Sequence, residues 1–145
     1  MSAMKSKDPF TPEERSRIMA LVKSKDTSIE LIVRRLVHRL GYRYRLHVAS
    51  LPGTPDLVFP ARRKIIFING CFWHMHGCGR CRIPTARRDY WINKLSKNRL
   101  RDARNRRQLR RSGWSVMTVW ECKARDLTRL SRAISRFIEQ PTGRN

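Results

Sequence analysis

No stretch of the 145 residues approaches 18 consecutive apolar positions, the least that a membrane-crossing helix needs. The first residues, Met1-Ser2-Ala3-Met4-Lys5-Ser6-Lys7, contain no apolar segment of the kind that opens a secretory leader, so a cytoplasmic, intracellular protein is expected. Acidic residues are also scarce. There are 11 against 33 lysines and arginines, a net charge of +22. Such a chain repels itself when compact and requires a polyanion to neutralise it, which makes nucleic acid the leading partner. Internal repeats and composition breaks are absent, and the length is that of one ordinary domain, able to bury a core without disulfide staples. One domain over residues 1–145 is therefore expected, with residues 1–10 a mobile arm and 140–145 a frayed tail. Only four cysteines occur, at 71, 78, 81 and 122. Without an export signal, their clustering beside histidines favours metal ligation over disulfides.

The densest chemistry lies in Asn69-Gly70-Cys71-Phe72-Trp73-His74-Met75-His76-Gly77-Cys78, directly after the apolar run Lys64–Ile68. Thiols and imidazoles at that spacing suit a metal, and Phe72 and Trp73 are costly to leave in water without a use.

Around this loop the elements can be placed in order. Thr11-Pro12-Glu13-Glu14 carries an N-cap, a proline at the first helical position and a glutamate, which predicts a short helix to about Val22. A capping box recurs at Thr27-Ser28-Ile29-Glu30, and Ile29, Ile32, Val33, Leu36, Val37 and Leu40 follow the helical period until Gly41. Tyr42, Tyr44, Leu46 and Val48 then alternate with Arg43, Arg45 and His47, predicting a half-buried strand, which the turn Leu51-Pro52-Gly53-Thr54-Pro55 ends. Asp56–Phe59 reads as a short strand, Pro60–Arg63 as a turn and Lys64–Ile68 as a central strand.

A long helix is predicted from Arg88 to Arg111, with Trp91, Leu95 and Ala103 inward; Ser112-Gly113 stops it before a strand from Trp114 to Trp120. Trp114 and Trp120 are assigned to the core. Between Arg80 and Arg111 stand 13 basic and two acidic residues, more than solubility needs, so this segment is expected to follow phosphates. A final amphipathic helix uses Leu127, Leu130, Ile134, Phe137 and Ile138.

Three strands before a helical crossover imply an α/β sandwich with a mixed sheet. That order, with Pro55-Asp56 opening the second strand, resembles the restriction-endonuclease-like nucleases. Their usual acidic-x-Lys triplet on the next strand is missing, since Ile66-Phe67-Ile68 offers no acid. A narrower likeness is stronger. Asp26-Thr27-Ser28-Ile29-Glu30, Ser50-Leu51-Pro52-Gly53-Thr54-Pro55-Asp56, Gly70-Cys71-Phe72-Trp73-His74 and Val119-Trp120-Glu121-Cys122 together resemble the very short patch repair endonucleases. These nick DNA 5′ of the thymine in a T:G mismatch.

This resemblance implies a monomeric, Mg2+-dependent DNA endonuclease. Asp56 and the main-chain carbonyl of Ile68 would hold Mg2+, His74 would handle the proton, and Glu30 would order water around the metal. Glu30 also has a structural task in the capping box. Asn69 stands in the catalytic stretch where the best-known members carry another histidine, and Ile68 where they carry threonine. Cys71, His76, Cys78 and Cys122 match the family's structural zinc ligands, with Cys81 as an alternative to His76. Phe72, Trp73 and Trp91 match residues that wedge into the base stack, and the bland reading of all three is core packing. Functional links to a cytosine-5 DNA methyltransferase and to mismatch-repair proteins are implied. Two other readings stay open: a nuclease of the same fold with a different DNA target, and a zinc-containing DNA-binding protein without catalysis.

Overall fold

The computed structural model describes residues 28–71 and 83–141. Helix α1 (Ser28–Arg39) leads into strands β1 (Arg45–Leu46), β2 (Leu57–Phe59) and β3 (Lys64–Asn69); helix α2 (Arg88–Arg111) then crosses to β4 (Ser115–Trp120), and α3 (Leu127–Glu139) follows. The sheet order is β1-β2-β3-β4, with β1/β2 and β2/β3 antiparallel and β3/β4 parallel. This is the expected α/β sandwich with a mixed central sheet. The predicted helix at 11–22, the arm at 1–10 and the tail from 142 onward lie outside the described residues.

Alternation along the central strands sends side chains to two separate cores. Leu57, Phe59 and Ile66 pack on one face with Val33 and Val37 of α1 and Leu130, Ile134 and Ile138 of α3. Val58 and Ile65 pack on the other face with Leu109 of α2 and Trp114. The sheet is thus covered on both sides, as a strand with a parallel neighbour requires. Helix α2 has the predicted bounds, and its buried positions are Trp91, Leu95 and Leu109; Ala103 is only half-buried. The remaining surface of α2 is mainly cationic, with Leu100 an exposed exception at 67%. Arg99, Arg101, Arg104, Arg107, Arg110 and Arg111 are all exposed.

Three expectations need correction. The strand predicted over Tyr42–Val48 shrinks to Arg45–Leu46, and at its far end His47 takes a left-handed backbone, φ 45°, that regular strand does not adopt. Leu46 is consequently 39% exposed, whereas Tyr42 and Tyr44 still pack against the α1/α3 core. Leu127 is 48% exposed, since it sits at the first turn of α3, where Asp126 caps the helix by accepting the Arg129 N–H at 3.0 Å. Trp120 is half-buried and belongs to neither core, whereas Trp114 is buried, with the Arg63 guanidinium 4.2 Å above its ring.

One buried cation stands out. Lys64 is 1% exposed, with its Nζ 5.0 Å from the Phe137 ring centroid. Burial, and secondarily the nearby Arg62 charge, pushes its pKa below the usual lysine value. At the sheet's margin the Tyr42 hydroxyl donates to Glu139 at 2.5 Å; that hydrogen bond first, and Arg62 second, hold the Glu139 carboxyl below its ordinary range.

Candidate active site

The end of β1, the start of β2 and the end of β3 meet at one rim of the sheet, with α1 alongside. There Glu30, His47 and Asp56 each present a donor atom, and the three atoms lie within 4.8 Å of one another.

Glu30 is delivered by a helix, and His47 and Asp56 by local departures from regular structure. Glu30 lies in the first turn of α1 but is turned inward, 2% exposed. The imidazole N–H at His47 Nε2 donates to Glu30 Oε2 at 2.6 Å, and the Arg34 guanidinium lies 3.8 Å from the same oxygen. A buried carboxylate needs such partners, since burying an unpaired charge is costly. His47 reaches Glu30 because its left-handed backbone leaves the strand direction; histidine tolerates that region better than β-branched residues do. Its main chain remains anchored: the His47 N–H donates to the Asp56 carbonyl at 3.1 Å and the Val48 N–H to the Pro55 carbonyl at 3.3 Å.

Asp56 follows a turn with Gly53 at φ 80° and Thr54 at φ 46°. Proline at 55 offers no N–H to the ladder, so regular pairing starts only at Leu57, opposite Ile66. Ile68 therefore lies two residues beyond the last β2 rung, and its N–H is taken by Asp56 Oδ2 at 2.7 Å. The N–H and C=O of one strand residue point to the same side, so the Ile68 carbonyl opens on the gap that Asp56 occupies.

The donor set fits a divalent cation. Around an octahedral ion with ligands near 2.1 Å, adjacent donors stand about 3 Å apart and opposite ones about 4.2 Å apart. Donors within 4.8 Å of one another meet that requirement with modest side-chain rotation. Two carboxylates and a carbonyl supply the hard oxygens that Mg2+ prefers.

Of the residues expected from sequence, Glu30, Asp56 and Ile68 come together here. Asn69, 7% exposed, is adjacent in β3. His47 joins the cluster without having been singled out, since its only sequence signal was a polar place in an alternating run. Cys71 and Cys122 both lie just past the paired ends of β3 and β4, Cys122 in a 3-10 turn over Glu121–Lys123. Asn69 pairs with Trp120, and each cysteine follows two residues later. His74, His76, Cys78, Cys81, Phe72 and Trp73 lie outside the described residues. Trp91 is 4% exposed and edge-on to Tyr90, ring centroids 5.2 Å apart.

Known proteins resemble the chain along most of its length. The family model described as DNA mismatch endonuclease Vsr matches residues 7–80. A type II nicking enzyme of Xanthomonas oryzae pv. oryzae, V.XorIIP, is 46% identical over 132 residues, which cover 91% of this chain and 97% of that protein. The DNA mismatch endonuclease Vsr of Escherichia coli is 39% identical over 127 residues, 87% of this chain and 81% of that protein. The type II nicking enzyme V.NmeAIP of Neisseria meningitidis is 35% identical over 133 residues, 92% and 95% of the two chains.

Proposed function

Since the chain belongs to the DNA mismatch endonuclease Vsr family and is a DNA endonuclease, we propose that it nicks one strand of duplex DNA on the 5′ side of the thymine in a T:G mismatch, using Mg2+. The observation that carries this reading is the Asp56 carboxylate, fixed by the Ile68 N–H at 2.7 Å and grouped with Glu30 and His47 at one rim of the sheet. Two carboxylates and an imidazole gathered at one rim support a catalytic reading over a binding protein without catalysis.

When bound, Mg2+ supplies positive charge for the scissile phosphate and makes water more acidic. Asp56 and the Ile68 carbonyl are the proposed ligands. The Ile68 N–H holds the Asp56 carboxylate in one orientation, so no ordering is needed when substrate arrives. Glu30, kept in place by His47 and Arg34, directs water at the cluster. His74 is the proposed base, taking the proton from the attacking water at neutral pH, and its place beyond β3 is outside the described residues.

Phe72, Trp73 and Trp91 are the proposed wedge. Unstacking a base step costs roughly a few kcal/mol, and least where pairing is already poor, so apolar insertion favours a mismatch. Trp91 is only 4% exposed, so a wedge role requires that side of the protein to open against DNA. Cys71, His76, Cys78 and Cys122 are the proposed structural zinc ligands, with Cys71 and Cys122 each two residues past the paired ends of β3 and β4. The chain is proposed to act as a monomer in the cytoplasm, beside a cytosine-5 methyltransferase and mismatch-repair proteins. No described helix is long and apolar enough to cross a membrane.

A duplex panel tests the specificity. Nicking of T:G duplex in Mg2+, with matched and other mismatched duplexes left whole, is expected. Equal cutting of all duplexes would point instead to a nuclease of the same fold with another target.

A further inference from the structure

We infer that His47 is itself a metal ligand, which turns the oxygen site of Asp56 and the Ile68 carbonyl into a mixed nitrogen and oxygen site that binds Mn2+ more tightly than Mg2+. This rests on the reading of Asp56 as a metal ligand given above.

Three observations carry it. The imidazole donor lies with both carboxylate donors inside 4.8 Å, a modest side-chain rotation away from the spacings one octahedral ion requires. The side chain is aimed there by a left-handed backbone at a non-glycine residue, a conformation that persists where the surroundings enforce it and that clusters at functional sites. Finally, Glu30 already has the Arg34 guanidinium near the same oxygen, so His47 is not its sole neutralising group.

Ligation through Nε2 exchanges the hydrogen bond to Glu30 for a bond to the cation, with the ring proton carried on Nδ1. Mg2+ gains little from imidazole, being a hard ion that keeps oxygen and water around it, whereas first-row transition ions accept nitrogen readily. Selectivity therefore follows from the third donor. Three protein ligands on one rim also hold the ion before any phosphate arrives.

The test is metal binding by the full chain without DNA, by calorimetry with Mg2+ and Mn2+ separately and by the EPR signal of Mn2+. Wild type is expected to bind Mn2+ at least about tenfold more tightly than Mg2+, with nitrogen hyperfine coupling on the bound Mn2+. His47→Gln keeps an N–H for Glu30 but presents no imidazole. It is expected to lose about tenfold in Mn2+ affinity, with Mg2+ affinity changed less than about threefold, and to lose the nitrogen coupling. Unchanged Mn2+ binding and coupling in His47→Gln, or no Mn2+ binding by the free wild-type chain, overturns the inference. If His47→Gln does not fold, the nitrogen coupling in wild type decides alone. Asp56→Ala separates this inference from the underlying reading: retention of both metals there sinks the assignment of Asp56, whereas a failure confined to His47 leaves that assignment standing.

Discussion

At the scale of single residues, the Asp56 carboxylate combines two tasks that substitution can separate. Asparagine keeps an oxygen that accepts the Ile68 N–H but removes the charge. Asp56→Asn is therefore expected to retain the fold while nicking falls on the order of 10²-fold or more, since charge stabilisation at such a centre is worth several kcal/mol. Near-normal single-turnover cutting by this variant would contradict the proposed role. Lys64 gives a pH prediction of opposite character. Its folded-state pKa is lowered, first by burial and then by Arg62, so the unfolded chain binds the proton more strongly. Between the lowered folded value and the ordinary 10.5, the unfolded state carries more protons and stability rises with pH. Urea denaturation across the alkaline range is expected to show that rise, and Lys64→Met to flatten it.

Among elements, the turn before Asp56 and helix α2 pack directly together. A Cβ at Gly53 would lie 3.0 Å from Asn105 Nδ2 and 3.2 Å from the Phe67 ring, and the residue sits at φ 80°. Gly53→Ala therefore suffers both a clash and a strained backbone, an expected loss of about 1 to 3 kcal/mol by urea denaturation. Nicking is expected to fall as well, because any shift of this turn moves Pro55-Asp56. The same helix carries the phosphate-tracking prediction. Replacing the exposed Arg104, Arg107 and Arg111 by alanine is expected to weaken matched and mismatched duplexes alike. The slope of log affinity against log salt should become shallower by about 0.9 for each phosphate that is no longer neutralised. An unaltered slope would show that this face does not meet DNA. Elements of this kind were legible in the sequence: α2 has a Gly113 stop and a polar exterior, and β3 is an unbroken apolar run. The rim was legible only in part. Asp56 and Glu30 sit in recognisable motifs, but His47 looks like one more polar residue among arginines. Its role arises from a backbone reversal that brings it to a carboxylate 17 positions away, and no local pattern encodes that meeting.

For the whole molecule, the proposed zinc ligands Cys71 and Cys122, each just past the paired ends of β3 and β4, would tie those two strand ends together through the metal. One zinc per chain after dialysis is expected from elemental analysis, with a chelator lowering the unfolding temperature. Folded, active protein without zinc would remove that proposal. Cys81→Ser and His76→Ala, compared for zinc content, identify the fourth ligand.

The left-handed backbone at His47 also bears on solubility. Strand β1 is an edge of the sheet, and an edge that continued from Tyr42 to Val48 would offer a row of unpaired amides and carbonyls to a second chain. The strand is only Arg45–Leu46 and the backbone is kinked just after it at His47, while the arginine adds charge where another strand would have to dock. The kink that carries the imidazole to Glu30 thus also guards against polymerisation. His47→Val, whose branched side chain resists the left-handed region and favours extended chain, is expected to straighten the edge and to raise light scattering as the protein is concentrated.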